Sequence, residues 1–134
     1  MANAFYRKGA EKIITGAIDF TTDTIKARLV KNTYAQNLST DEFVSSVTAI
    51  TGTTDVTLAS KTVTDGVFDA ADVTWSAVAA GETSEGVVLY KFVTVDADSP
   101  VIAYIDTITG FPLATNGGDI VVQWDNGAYK IFSL

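Results

Sequence analysis

The stretch VVLYKFVTVDADSPVIAYIDT, residues 87–107, decides the fold class of this 134-residue chain. Its two apolar runs, residues 87–95 and 101–107, are rich in β-branched and aromatic residues. Both runs are apolar on both faces, which is typical of central strands packed on two sides. The segment DADSP between them, residues 96–100, is a cluster of turn-forming residues. The sequence therefore predicts two neighbouring strands, joined by a hairpin loop, at the centre of a sheet.

Short strand patterns separated by turn signals extend from this hairpin over all of residues 60–134. Trp75 lies on the apolar face of one of these patterns, so it is a predicted core residue. The Asp-Gly pair at residues 65–66 and the Asn-Gly pair at residues 126–127 favour two-residue hairpin turns. Over the whole chain, the seven or eight predicted strands indicate a mainly β fold, an antiparallel β-sandwich of the Greek-key type.

A helical pattern occupies residues 1–16, with Asn3 as the predicted N-cap and Gly16 as the predicted stop. Gly9 costs a helix about 1 kcal/mol relative to alanine, unless it lets the helix lie close to a sheet. A helix this short is marginal alone and must dock on another element. The apolar side chains that need this cover include Phe5, Tyr6 and Ile13. We therefore predict one domain over residues 1–134, with a helix at 1–16 and the sandwich at 24–134.

Two further patterns lie between the helix and the strand-rich region. Residues 25–30 alternate strictly, which predicts a strand with an apolar inner face and with Lys26 and Arg28 on a solvent-facing side. Ser39 followed by Glu42 matches a capping box, which predicts a short helical turn directly afterwards.

The chain contains no histidine and no cysteine. Serine–histidine and cysteine–histidine nucleophiles, disulfide frameworks and thiolate zinc sites are therefore excluded. Only carboxylates remain for catalysis, and Asp106, Asp119 and Asp125 are the candidates. These residues lie at strand ends and turns, where aspartate is common for backbone reasons. We predict that the protein is not an enzyme and needs no cofactor.

Calcium is the remaining metal to consider, because it prefers hard oxygen ligands. Two groups of aspartates could supply them, and the residues are Asp65, Asp69 and Asp72 in one group and Asp96 and Asp98 in the other. Neither group has the spacing of an EF-hand loop. We predict that they serve turns and solvation, and that the chain holds no metal.

The net charge of −7 comes from sixteen acidic and nine basic residues, and the basic residues are scattered. This balance predicts no binding to nucleic acid, because such binding neutralises phosphates with clustered lysine and arginine. No apolar run approaches the roughly 20 residues that a membrane span needs, so we expect no membrane insertion. Apolar residues make up 47% of the chain. That content predicts a real core and some apolar surface that a partner covers.

Segments spread over nearly the whole chain carry a resemblance to one group of known proteins. They are NAFY (3–6), KGA (8–10), DTIKARLV (23–30), Tyr34, NLST (37–40), Phe43, TLASKTV (57–63), FDAADVTW (68–75), VLYK (88–91), SPVIAYID (99–106) and WDNG (124–127). With these segments the chain resembles a family of small tailed-bacteriophage proteins encoded among virion structural genes. The resemblance lies in strand and turn residues, and it implies a structural role in the virion.

The resemblance implies most specifically a capsid decoration, or cement, protein on the outside of the head, made in the host cytoplasm. Its partner would be the major capsid protein, and it would be a homo-oligomer. The N-terminal helix is the candidate interface, through Phe5, Tyr6 and Ile13, although it could equally cover its own sandwich. Two alternatives stay open: a neck, tail or baseplate component of the same virion, and a glycan-binding module on the virion surface.

Overall fold

A computed structural model of the chain describes residues 4–125, 127–128 and 130–134. In these residues the elements are β1 (Ala4–Phe5), α1 (Arg7–Ile14), β2 (Ile25–Lys31), β3 (Val56–Thr57), β4 (Thr62–Thr64), β5 (Val67–Asp69), β6 (Val73–Trp75), β7 (Thr83–Lys91), β8 (Val101–Ile105), β9 (Leu113–Ala114), β10 (Ile120–Val122) and β11 (Phe132–Ser133). Two 3₁₀ turns lie at Val44–Ser46 and Asp96–Asp98. The predicted fold class is confirmed: the protein is mainly β, with antiparallel sheets and one N-terminal helix.

The strands form one large sheet and two small ones. The main sheet has the order β1-β8-β7-β2-β3, and β9 also pairs with β7. The small sheets have the orders β10-β6 and β11-β5-β4. Every pairing in the three sheets is antiparallel. The sheets do not close into a barrel, and among the described residues β1 and β3 end the main sheet while β4 and β11 end one small sheet.

The main sheet is covered on both faces, as the apolar runs of residues 87–107 predict. In β7, Val87 and Leu89 belong to the main core, which also contains Phe68 and Ile120 from the two small sheets. Val88 and its neighbour on the same face, Tyr90, belong to a second core on the other side. The second core is closed by side chains of the segment that follows β2, which are Tyr34, Leu38, Val44 and Val47.

Helix α1 packs directly on the backbone of β8 through Gly9. A Cβ atom at Gly9 would collide with the carbonyl oxygen of Val101 and would lie 2.9 Å from the Cα atom of Ile102. The close approach predicted for this glycine is therefore confirmed. Gly16 has a φ of +82° just after the helix, as expected for a helix stop.

The predicted start of the helix is wrong: α1 begins at Arg7 with Tyr6 at the N-cap position, and residues 4–5, predicted as helix, form strand β1. Asn3, the predicted N-cap, itself lies outside the described residues.

We expect the substitution Gly9→Ala to destabilise the protein by about 1–3 kcal/mol, as overpacking does elsewhere. Alanine would favour the helix by about 1 kcal/mol, but backbone atoms of β8 surround the site and cannot rotate away. Urea unfolding followed by circular dichroism measures the change. Glu11→Ala, at an exposed position of the same helix, is the control and should change stability little. A Gly9→Ala variant that is more stable than the wild type would contradict this packing.

Two predictions for residues 25–46 need correction. Arg28 does not face solvent; it is buried, and only 8% of its surface is exposed. The capping box is also wrong: the 3₁₀ turn forms at Val44–Ser46, but it receives no side-chain cap. Glu42 instead pairs with Lys12, and the Asn37 side chain accepts the backbone bonds of the preceding turn. The Glu42 carboxylate, which a capping box would have used locally, is therefore engaged by a residue distant in sequence.

The two predicted hairpin turns differ in outcome. Asp65 and Gly66 connect β4 and β5, and their φ values are +52° and +78°, as a type I′ turn requires. Asn126 lies outside the described residues. The strands nearest to it, β10 and β11, pair with β6 and β5 and belong to different sheets.

Candidate interaction surfaces and the polar network beneath them

A buried guanidinium joins three separate segments of the chain. Arg28 Nη2 lies 2.9 Å from a carboxylate oxygen of Asp55 and 2.8 Å from one of Asp96. Its Nη1 donates to the carbonyl oxygens of Val44 and Val47 at 3.0 and 2.9 Å. A fixed fork of N–H donors lets arginine satisfy several acceptors at once. This side chain therefore fastens the loops that carry residues 44–47, 55 and 96 to the main sheet.

Tyr90, on the neighbouring strand β7, completes this network. Its hydroxyl donates to Asp55, and the Arg28 guanidinium carbon lies 5.7 Å from the centre of its ring. Burial, followed by the bond to Asp55, raises the pKa of Tyr90 above its ordinary value. Burial alone would lower the pKa of Arg28, but the bonds to Asp55 and Asp96 outweigh it and raise that pKa. The network thus holds a permanent cation and a neutral phenol, which suits a structural role.

A second buried polar chain ties residues around Asp41 to the start of the helix. The Tyr6 and Tyr34 hydroxyl oxygens are 2.6 Å apart, and the Tyr34 hydroxyl donates to Asp41 at 2.6 Å. Asp41 also accepts the backbone N–H of Asn37 at 3.0 Å. Burial is the main cause that raises the pKa of both tyrosines. Both phenols therefore stay protonated at neutral pH.

The structure separates the three residues of the predicted helix interface. Tyr6 is fully buried in the second core, so it has no surface to offer a partner. Phe5 and Ile13 are half-buried against the main core, and Phe5 packs edge-to-face on Phe132 with ring centres 4.9 Å apart. Ile14 is 85% exposed, because it lies at the end of the helix away from the sheet. The interface through Phe5, Tyr6 and Ile13 stays a prediction. Ile14, which was not part of it, is the most exposed large apolar side chain of the helix.

Among the described residues, the exposed large apolar side chains lie at element ends, strand edges and one loop. They are Ile14 at the end of α1, Val63 on β4, Val93 and Val95 before the second 3₁₀ turn, Val121 on β10 and Leu134 after β11. Two of these positions, Val63 and Val121, are on the small sheets. The turn and strand patterns of the sequence did not single them out, because burial depends on which sheets stack.

Two of the three aspartates considered for catalysis accept backbone hydrogen bonds in turns and loops. Asp119 accepts the backbone N–H of Ala77 at 2.8 Å, and Asp125 accepts that of Gly127 at 2.9 Å. Asp106 is half-buried directly after β8. Within the described ranges, no three acidic, histidine or cysteine side chains lie close enough together to hold a metal ion.

The calcium candidates with assigned partners have structural roles as well. Asp72 accepts the backbone N–H of Trp124 at 2.9 Å, and Asp96 pairs with Arg28. The indole of Trp124 in turn donates to the carbonyl oxygen of Ala71 at 3.0 Å. These contacts pin the loop after β5 to the segment after β10.

An open cleft of about 350 Å³ is the candidate site at which a sugar ring could stack on an aromatic side chain. Its lining includes Trp124, Asp125, Gln123 and Ile108. Trp124 is buried, so its ring presents little face to a sugar. Tyr90 and Tyr104, two aromatic residues of the main sheet, are buried too. These aromatic side chains are therefore part of the protein interior.

Glu82 forms a surface clasp between two loops. Its carboxylate lies 2.9 Å from Lys31 Nζ, and it accepts the hydroxyl of Thr51 at 2.7 Å and the backbone N–H of Thr51 at 2.8 Å. The bond from Lys31 and then those from Thr51 lower the pKa of Glu82 from 4.5 to about 2. The clasp therefore favours the charged carboxylate in the folded state.

We expect Glu82 to make stability depend on pH between 4.5 and about 2. Above this range the clasp contributes fully; as the pH falls through it, the unfolded carboxyl takes up a proton before the folded one, and the contribution is lost. The stability difference between wild type and Glu82→Gln should therefore shrink from about pH 5 to about pH 2. Urea unfolding at both pH values measures it. A difference that stays constant over this range would contradict the lowered pKa.

In the described part of the chain, no helix is long and apolar enough to cross a membrane. Comparisons with protein-family models, with curated proteins and with solved structures found no match. The fold is that of a mainly β protein with three antiparallel sheets and buried polar networks between its loops.

Proposed function

We propose that this chain is a structural protein of a tailed-bacteriophage virion, and that it decorates the outside of the capsid. The observation that carries the proposal is the resemblance, which extends over nearly the whole sequence. In this role the protein binds the major capsid protein, forms homo-oligomers and carries out no reaction. It is made in the host cytoplasm and ends on the exterior of the head.

The charge of the protein supports the exterior position. The net charge is −7, and the inside of a filled capsid is crowded with DNA phosphate, which would repel such a chain. On the outer surface the same charge favours solubility. When many copies bind across neighbouring capsid subunits, multivalency makes the overall attachment to the capsid strong even if each single contact is weak.

The buried networks suit a protein that must hold its shape while it clamps a lattice. Arg28 fastens loops at residues 44–47, 55 and 96. The Tyr6–Tyr34–Asp41 chain fastens the start of the helix. Exposed apolar side chains such as Ile14, outside these fastened regions, are available for contact. In the proposed role, Ile14 and the half-buried Phe5 and Ile13 form the capsid-facing surface.

Sedimentation with virion parts tests the proposal. Purified protein is added to undecorated heads and, separately, to isolated tails, and the bound fraction is measured. Saturable binding to heads in hundreds of copies is expected. Binding to tails, or a few copies at one vertex, would overturn decoration and favour a neck, tail or baseplate role.

Two variants locate the capsid-facing surface. Ile14→Asp places a charge on the proposed contact and should reduce head binding strongly, while the fold stays intact because Ile14 is exposed. Val121→Asp alters an exposed valine on β10 and is the matched control. Equal loss of binding in both variants, or in neither, would contradict a helix-based interface.

A further inference from the structure

Strand β4 leaves one side of the small sheet β11-β5-β4 open. Its residues, Thr62–Thr64, are all exposed, and within the described ranges its only strand partner is β5. Proline residues, charged side chains and β-bulges commonly protect an edge strand from pairing. Thr62–Thr64 contains no proline and no charged residue, and its pairing with β5 has no register shift. An open edge of this kind presents backbone groups that can pair with another strand.

The turn that follows β4 determines which backbone groups face outward. Thr64 pairs with Val67 across the two-residue turn. In such a hairpin the flanking pair exchanges both of its backbone hydrogen bonds, and the pattern alternates along the strand. Thr64 and Thr62 therefore direct their N–H and C=O groups toward β5. Val63 directs its own N–H and C=O groups away from the sheet.

The sequence around Val63 is self-complementary. The segment Lys61-Thr62-Val63-Thr64-Asp65 reads basic, threonine, valine, threonine, acidic. When two copies run antiparallel about a two-fold axis at Val63, each Lys61 comes opposite Asp65 of the second copy. Each Thr62 comes opposite Thr64 of the second copy, and threonine pairs and opposite charges both favour cross-strand pairing.

The environment of these side chains fits that arrangement. Asp65 is exposed. Lys61 is half-buried, and its Nζ donates to the carbonyl oxygen of Asp23, which holds it at the start of the strand. An ammonium group has three donors, so this bond leaves capacity for a carboxylate of the second copy. Val63 itself is 48% exposed, and pairing would cover apolar surface at the axis.

We propose that two copies of this chain associate through antiparallel pairing of their β4 strands about a two-fold axis at Val63. The match of charge and residue type is to the chain's own segment, so the occupant of the edge is a second copy. The contact is isologous and closes after two copies, so it adds no further strands. It supplies the surface of the homo-oligomer proposed above, and it can be tested on the pure protein without capsids.

Cysteine cross-linking tests the pairing directly, because the chain has no cysteine of its own. In Val63→Cys the two sulfurs would meet at the axis, and directly opposed residues of antiparallel strands lie within disulfide range. Val121→Cys is the matched control, since Val121 also lies on a small sheet and is 52% exposed. Under mild oxidation we expect Val63→Cys to form dimers about tenfold faster than Val121→Cys or more, because pairing raises the effective concentration. Equal rates would overturn the proposal.

Sedimentation analysis of the uncross-linked protein supplies the second measurement. The wild type should dimerise with increasing concentration. Val63→Lys places like charges at the axis and should shift the protein to monomer. Val63→Thr keeps a β-branched side chain and should retain the dimer. A wild type that stays monomeric at every concentration, or a Val63→Lys variant that dimerises like the wild type, would also overturn the proposal. A dimer that fails to bind heads would leave this inference standing and remove the proposed function.

Discussion

Replacement of Trp75 by alanine is expected to lower the free energy of unfolding by about 3–5 kcal/mol, in the range found for large aromatic side chains in protein cores. Trp75 is only 2% exposed and belongs to the main core. It lies on β6 opposite Ile120 of β10, in a sheet of two short strands. Such a small sheet has few hydrogen bonds of its own, so its attachment depends on buried side chains of this kind. Denaturant unfolding followed by far-ultraviolet circular dichroism measures the loss.

Two further variants separate packing from other causes. Thr74→Ala changes the exposed neighbour on the same strand and should alter stability by less than about 0.5 kcal/mol. Trp75→Phe keeps an aromatic ring and removes the indole N–H, for which the described residues provide no acceptor. It should therefore cost less than Trp75→Ala, since an unpaired buried donor is itself unfavourable. A Trp75→Ala protein that melts cooperatively near the wild-type temperature would show that this side chain is not core.

The second large effect is expected for Arg28→Met, at about 3–5 kcal/mol, because the change removes one partner of a buried ion pair. The Asp55 carboxylate would stay in a site where only 13% of its side chain is exposed. The carbonyl oxygens of Val44 and Val47 would also lose their donor. Urea unfolding measures the change in stability.

A double variant shows whether the loss of stability comes from the unpaired Asp55 carboxylate or from lost side-chain packing. Partial recovery of the free energy of unfolding would indicate the unpaired charge. Asp55→Asn removes the charge and keeps an acceptor for the Tyr90 hydroxyl, so Arg28→Met combined with Asp55→Asn should be more stable than Arg28→Met alone. Lys12→Met breaks the more exposed Lys12–Glu42 pair and should change stability by about 1 kcal/mol at most. If Lys12→Met and Arg28→Met lower the free energy of unfolding equally, burial does not make the Arg28 ion pair more important for stability.

The elements that sequence patterns predicted well are those determined by local chemistry. Residues 87–91 and 101–105 of the two predicted apolar runs became neighbouring strands of the main sheet, because apolar side chains on both faces need cover on both sides. The rest of the first run, residues 92–95, was wrongly predicted as strand, and Val93 and Val95 are exposed. The Asp-Gly pair at residues 65–66 became a tight hairpin turn, because its two positions need positive φ. Gly9 and Gly16 took the close contact and the helix end that their missing side chains allow.

The features that the sequence did not reveal depend on partners far apart in the chain. Alternation in residues 25–30 correctly marks a strand, but it cannot tell that the polar side chain of Arg28 meets Asp55 and Asp96 in a second, buried layer. Glu42 has the right spacing for a cap of Ser39, yet Lys12 engages it. Helical spacing groups Tyr6 with Phe5 and Ile13, whereas Phe5 lies in strand β1 and Tyr6 precedes the helix and is buried beside Tyr34. The alternation of apolar and polar residues in a strand identifies its buried face only when the opposite face is exposed to solvent.

The order of strands in the main sheet has a consequence for how the chain folds. The longest ladder joins β2 to β7, and its register pairs Ile25 with Lys91 and Leu29 with Val87. Everything between these strands, including the β4–β5 hairpin, must be looped out before the ladder can form. Closing a loop of this length costs conformational entropy before the contacts that stabilise the ladder can form. Domains dominated by such long-range pairings fold in milliseconds to seconds. During synthesis β2 therefore leaves the ribosome long before its partner, and the backbone groups on the edge of β2 that pairs with β7 stay without that strand until β7 is made.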